Sequence, residues 1–209
     1  EDAAQAHGAY YVDGGAIGSR NTLTTFSFYP TKNLSAFGDA GCILTQDDEL
    51  AKKIIVERNH GRGDEQKMGR NSRCDHIQAA VLHLKLSEVE KFNNQRKRIA
   101  SWYHEELIDL PIELPDAKYT CLSSWHLYPI KLKSKEERMA LSEFLKTHEI
   151  GHTPFYERAL SQESPLSQYE GEDENAKNLA GRLLCLPMNP FISKEQVSFV
   201  KETIGKFFS

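Results

Sequence analysis

Long apolar runs, paired cysteines and an excess of positive charge are all missing from this sequence. No stretch approaches the roughly 18 consecutive apolar residues of a membrane helix, and mean hydropathy is −0.55, so no membrane span is expected. The opening Glu1-Asp2-Ala3-Ala4-Gln5 has neither a basic nor an apolar region, so a signal peptide is not expected there. The four cysteines, Cys42, Cys74, Cys121 and Cys185, are widely and irregularly spaced, with no CxxC pair. That spacing argues against a disulfide framework and points to a reduced, cytoplasmic setting. The eight histidines are scattered, and no metal site is expected. Lys and Arg number 26 against 30 Asp and Glu, a net charge of −4, which argues against nucleic acid or anionic membrane as partner. No internal repeat stands out. What remains is a chain of 209 residues, 39% hydrophobic and 27% charged, long enough for one domain or two small ones.

The first ninety residues alternate short strand-like and helical segments. Thr24 to Tyr29 (TTFSFY), rich in β-branched and aromatic residues, predicts a strand that Pro30 ends. Gly41 to Thr45 predicts a second strand, and Asp47 and Asp48 predict the N-cap of a helix over Glu49 to Arg58. Gly and Pro are absent from Asp75 to Leu110, where Ile77, Ala80, Val81, Leu84 and Val89, then Ile99, Tyr103 and Leu107, recur near helical spacing. This predicts two helices or one bent helix, with the charged stretch Asn93 to Arg98 as a solvated face. Further on, Trp125 to Leu132 reads as a half-buried strand, Ser134 to Glu137 as a capping box for a helix to His148, and Ile150 to Tyr156 as another strand. Ser161 to Glu174 predicts a polar loop, Asn175 the start of a helix, Leu183 to Leu186 an apolar run, and Lys194 to Phe208 a final helix.

Residues 1–41 carry the most chemical information. They offer an acid (Asp2), a glutamine and a histidine (Gln5, His7), a hydroxyl on a strand (Ser27) and a lysine in the loop just beyond it (Lys32). A lysine at the end of an apolar strand sheds part of its hydration, and its neutral amine is a nucleophile toward an aldehyde. A carboxylate against a pyridine nitrogen keeps that ring protonated and makes it an electron sink. Taken singly, each signal is weak, because a loop lysine is usually a solvated surface residue.

Order and spacing are more specific. EDAAQAHGA, then FSFYPTKNLSAFGDAG, then RNHG, then GRNSRCDHIQAA resemble the DegT/DnrJ/EryC1/StrS family of sugar aminotransferases, and WHLYPI and LPMNPFISKEQV resemble that family's small domain. The resemblance covers nearly the whole chain and is strongest from Glu1 to Leu86. It implies an α/β architecture: part of the large domain of a PLP-dependent transferase (fold type I) over residues 1–95, then a small C-terminal α/β domain over 96–209. It implies pyridoxal 5′-phosphate (PLP) as cofactor and Lys32 as the catalytic lysine that forms the Schiff base. Asp2 would pair with the pyridine nitrogen, Gln5 sit near the ring hydroxyl, and Ser27 contact the phosphate. Asn71 would reach the phosphate of a neighbouring subunit in a homodimer. His7 and Tyr156 would lie on the sugar side. The implied reaction moves an amino group from an amino acid, L-glutamate by expectation, to a keto group of a nucleotide-linked sugar. A dehydrating branch of the family carries histidine at the lysine position; Lys32 favours transamination.

Two departures qualify the resemblance. The family carries a phosphate loop, a ring-stacking aromatic and several strands ahead of the Asp2 motif, and none is in this sequence. A C-terminal portion of a longer protein is therefore expected, with a truncated, non-catalytic binding or assembly module as the alternative. In addition, Phe155 precedes Tyr156 where the family has histidine, and no role is assigned to His152.

Overall fold

The computed structural model describes residues 1–20, 23–64, 68–166, 168, 171 and 173–209. They gather into two compact units, one of Glu1–Asn94 with Leu122–His126, the other of Gln95–Cys121 with Leu127–Ser209.

In the first unit, β1 (Thr24–Ser27) and β2 (Gly41–Leu44) pair antiparallel, Thr24 opposite Leu44 and Ser27 opposite Gly41. A Cβ at position 41 would stand 2.7 Å from the Phe26 carbonyl oxygen, so this close register needs glycine. The sequence predicts a strand to Tyr29; the ladder stops at Ser27, where the Tyr29 N–H turns to donate to Ser27 Oγ at 3.3 Å. The free edge of β1 takes up the first residues of the chain: Thr25 N–H donates to Glu1 O and Ala3 N–H to Thr25 O, both at 2.9 Å, a parallel bridge that sets Asp2 beside Thr25. Helix α1 (Asp48–Glu57) starts where expected, because Asp47 Oδ1 accepts from the Glu49 and Leu50 N–H groups at 2.9 and 3.0 Å. The segment after Asp75 is two helices, α2 (His76–Leu86) and α3 (Val89–Leu107). Neither α1 nor α2 buries a residue.

Helix α3 carries one correction. The charged stretch predicted to be a solvated face contains Asn93 and Arg96, 3% and 8% exposed. They continue the helical stripe of Ile99, Tyr103 and Leu107 at three- and four-residue steps. Burial is tolerated because both polar ends are bonded: the Asn93 amide donates to His7 O at 2.7 Å and the Arg96 guanidinium to Met188 O at 2.8 Å.

The second unit holds an antiparallel pair, β3 (Tyr128–Lys131) with β4 (Leu183–Leu186). Pro129 is tolerated because Cys185, paired opposite it, turns its own N–H and C=O outward to Thr153, so the N–H that Pro129 lacks falls on the outer edge of β3 and not in the ladder with β4. Helices α4 (Lys135–Thr147) and α6 (Lys194–Phe207) pack against one another, and a short α5 (Glu174–Leu179) precedes β4. Serines cap both long helices: Ser134 Oγ accepts from Glu137 N–H, and Ser193 Oγ from Gln196 N–H with the Gln196 side chain returning the bond. The core is Ile99, Tyr103, Leu107, Tyr128, Ile130, Leu141, Leu145, Leu184, Val197 and Ile204, all fully buried. The strand predicted over Ile150 to Tyr156 reduces to one bridge, Thr153 with Cys185, because β4 offers Thr153 a single residue's pairing. The loop predicted over Ser161 to Glu174 lies partly outside the described residues. No described helix is long and apolar enough to cross a membrane.

Candidate active site

Side chains alternate across a strand, and directly paired residues share a face. Asp2, bridged to Thr25, therefore shares a face with Thr25 and Ser27, while Thr24 and Phe26 take the other. Asp2 and Thr25 are exposed and Thr24 is fully buried, as that alternation requires. An acid and a hydroxyl thus stand on one open face at adjacent strands. Asp2 Oδ1 accepts a single bond, from Ala4 N–H at 3.0 Å. Ser27 Oγ accepts from Tyr29 N–H, which leaves its own proton to donate elsewhere.

Lys32 follows in the turn just past β1, closed by its own N–H donating to Tyr29 O at 2.9 Å. It is half-buried, and its ammonium has no hydrogen-bond or ion-pair partner among the described residues. Asp2 and Ser27 share one face of β1 and the half-buried Lys32 follows in the turn beyond it; an amine, a hydroxyl with a free proton and a carboxylate match an aldehyde, a phosphate and a basic ring nitrogen respectively. The donor set fits PLP. Gln5 is exposed, and its carbonyl accepts from Ser124 Oγ at 2.9 Å.

His7 lies on the other side of β1. Its ring is 5% exposed and packs on Phe26 and Phe28, centroids 5.2 and 5.8 Å away, beneath the strand rather than on its open face. Among the described residues neither ring nitrogen has a hydrogen-bond partner of regular geometry. Burial pushes its pKa down to about 4; the Ser27 main chain opposes that and the nearby Lys32 cation adds to it.

Asn71 stands apart. It is exposed, bridged to Asn59 beyond the end of α1, and no hydrogen bond among the described residues joins it to Asp2, Gln5, Ser27 or Lys32. Tyr156 belongs to the second unit, where its main chain is anchored and its side chain is not. Gly181 N–H donates to Tyr156 O at 2.8 Å, and the next residue, Glu157, is held by the buried Arg138 and by Lys135. The phenol itself is 62% exposed and stacks on Phe155.

Sequence reasoning missed Asn33, Asn93, Ser124 and His126, which surround the lysine loop in the first unit. Only a buried amide inside an apolar helical stripe, at Asn93, could have signalled them. It also passed over His148 and His152, four residues apart as helical metal ligands often are. They do not share a helix: His148 caps the end of α4, and His152 lies beyond it with its ring between Ser142 Oγ and Ile150 O. Among the described residues no three metal-ligating side chains cluster.

A model of the DegT/DnrJ/EryC1/StrS aminotransferase family matches residues 1–205. The pleiotropic regulatory protein of Geobacillus stearothermophilus is 37% identical over 221 residues, covering 100% of this chain and 57% of that protein. The dTDP-3-amino-3,4,6-trideoxy-alpha-D-glucose transaminase of Streptomyces venezuelae is 35% identical, with 99% of this chain and 55% of that protein covered. The solved structure of S. venezuelae DesV in complex with a ketimine intermediate superimposes with a TM-score of 0.84 at 32% identity, over 98% of this chain and 56% of that one. The chain spans about half the length of the relatives it matches.

Proposed function

The chain belongs to the DegT/DnrJ/EryC1/StrS aminotransferase family, and from that premise we propose that it carries the lysine side of a PLP site that transfers an amino group from an amino acid to a keto carbon of a nucleotide-linked sugar. The observation that supports this reading is at β1: Asp2 and Ser27 on one face, and in the turn that follows the half-buried Lys32, which has no partner among the described residues.

When bound, PLP supplies the electron sink that lets a C–H bond beside nitrogen ionise. The chain's own residues do the rest. Lys32 would hold PLP through its amine, at the aldehyde carbon. With its amine free, Lys32 would be the base that takes a proton from the donor's α-carbon and gives it back at the C4′ carbon. Asp2 would hold the proton on the ring nitrogen, Ser27 Oγ would donate to the phosphate, and Gln5 would border the ring hydroxyl. On the keto sugar Lys32 moves the proton in the opposite direction. We assign L-glutamate as donor, the exposed Tyr156 to the sugar side, and Asn71 to the phosphate of a second subunit in a homodimer. The burial of His7 favours a supporting part beneath Ser27.

The test is spectroscopic. In the protein that carries this chain, added PLP is expected to give a visible absorption band, and Lys32→Ala to abolish both the band and transamination. Turnover retained by Lys32→Ala would sink the assignment.

A further inference from the structure

We propose that Asn33, Asn93, Ser124 and His126 form a positioning latch that fixes the loop carrying Lys32 against the turn carrying Gln5 and His7. It rests on the reading above and deepens it, by naming groups that hold the amine rather than react.

The two N–H groups of the Asn33 amide are both used: one donates to Asn93 Oδ1 at 2.8 Å, the other to Ser124 O at 2.7 Å. From there two paths lead to the same turn. The Asn93 amide donates to His7 O at 2.7 Å, and Ser124 Oγ donates to Gln5 O at 2.9 Å. The direction of every bond is set, because both paths end on main-chain carbonyls, which only accept. The Asn33 amide is thereby oriented with its oxygen toward His126 Nδ1, 3.2 Å away, which makes Nδ1 the protonated nitrogen.

Burial and sterics show that the arrangement is built in. Asn93 and Ser124 are 3% and 2% exposed, so their unpaired forms would leave costly polar atoms in the interior. Gly8 has φ +72°, and a Cβ there would stand 2.7 Å from Asn93 Nδ2. Glycine at position 8 therefore both permits the turn and makes room for the Asn93 amide.

The consequence falls on Lys32. Asn33 is its immediate neighbour, so any displacement of the Asn33 backbone carries the Lys32 backbone with it. The opposite anchor, Gln5, lies three residues from Asp2. The latch thus ties the amine to the segment that bears the acid, and a small misplacement of a reacting group costs rate steeply.

Two variants test this in the protein that carries the chain. Asn33→Asp removes both donors and sets a carboxylate against two carbonyl oxygens. Ser124→Ala removes only the bond to Gln5 O. After PLP loading, borohydride reduction and peptide mass mapping read the rate of labelling at Lys32, while the visible band is followed against pH. Wild type is expected to label at Lys32. Asn33→Asp is expected to label about tenfold to a hundredfold more slowly and to shift the pH midpoint of the band, while keeping its far-UV dichroism; Ser124→Ala should show the same changes more weakly. Folded variants that label at the wild-type rate with an unchanged midpoint would overturn the latch. If Asn33→Asp does not fold, Ser124→Ala alone decides by the same two readouts. Wild type that labels elsewhere than Lys32 overturns the PLP reading itself, and the latch with it.

Discussion

His7 lies against Phe26 and Phe28 with, among the described residues, no hydrogen-bond partner of regular geometry at either ring nitrogen and a pKa held near 4 by burial. The unfolded value is about 6.5, so the folded state binds fewer protons between those limits and favours the neutral ring. Its contribution to stability is fully present above about pH 6.5 and is lost as pH falls toward about 4. Melting temperature is therefore expected to drop over that window in wild type and to drop less in His7→Gln, which has nothing to titrate. Equal slopes in the two proteins would contradict the buried, neutral ring. The roles proposed for Lys32, Asp2 and Ser27 come from the order and spacing of residue types in the sequence. The surroundings of His7 were not legible there, since a histidine beside glycine reads the same whether its ring faces a ligand or two phenylalanines.

At the scale of elements, the helices divide by what they bury. Helix α4 turns Arg138, Leu141 and Leu145 inward, and α6 turns Val197, Val200 and Ile204 inward, at the three- and four-residue steps of one helical face. Leu141→Ala is expected to cost about 2–5 kcal/mol in a denaturant titration, because Leu141 is fully buried between packed elements. Leu84 on α2 is 75% exposed, so Leu84→Ser should change the stability of this chain by roughly half a kcal/mol or less. The serine caps and Asp47 were readable from sequence because a cap bond joins residues two or three apart. The stripe through Asn93 and Arg96 was not, because their burial depends on His7 O and Met188 O, 86 and 92 residues away.

At the scale of the whole molecule, the proposed homodimer has a test that needs no interface geometry. Asn71 is exposed, and among the described residues no hydrogen bond joins it to the lysine loop of its own chain. If it serves the neighbouring subunit, Lys32→Ala is inactive and Asn71→Asp is weak, yet mixed dimers of the two variants contain one site with both residues intact. Mixing after subunit exchange should then restore transamination to a quarter or more of wild type, in the range about two-state half-site arithmetic gives. No recovery after verified exchange would count against a shared site.

The sequence by itself determined the family, the capped helix starts and the β1 and β2 segments, because these rest on local spacing, capping and side-chain chemistry. Only the tertiary structure decided that Asp2 and Ser27 share a face, that His7 is buried beneath them, and that Asn33, through Asn93 and Ser124, joins the lysine loop to the main chain of Gln5 and His7. Those facts depend on pairing and burial between residues far apart in the chain, and hydrogen-bond satisfaction over such distances leaves no periodic mark in the order of residues.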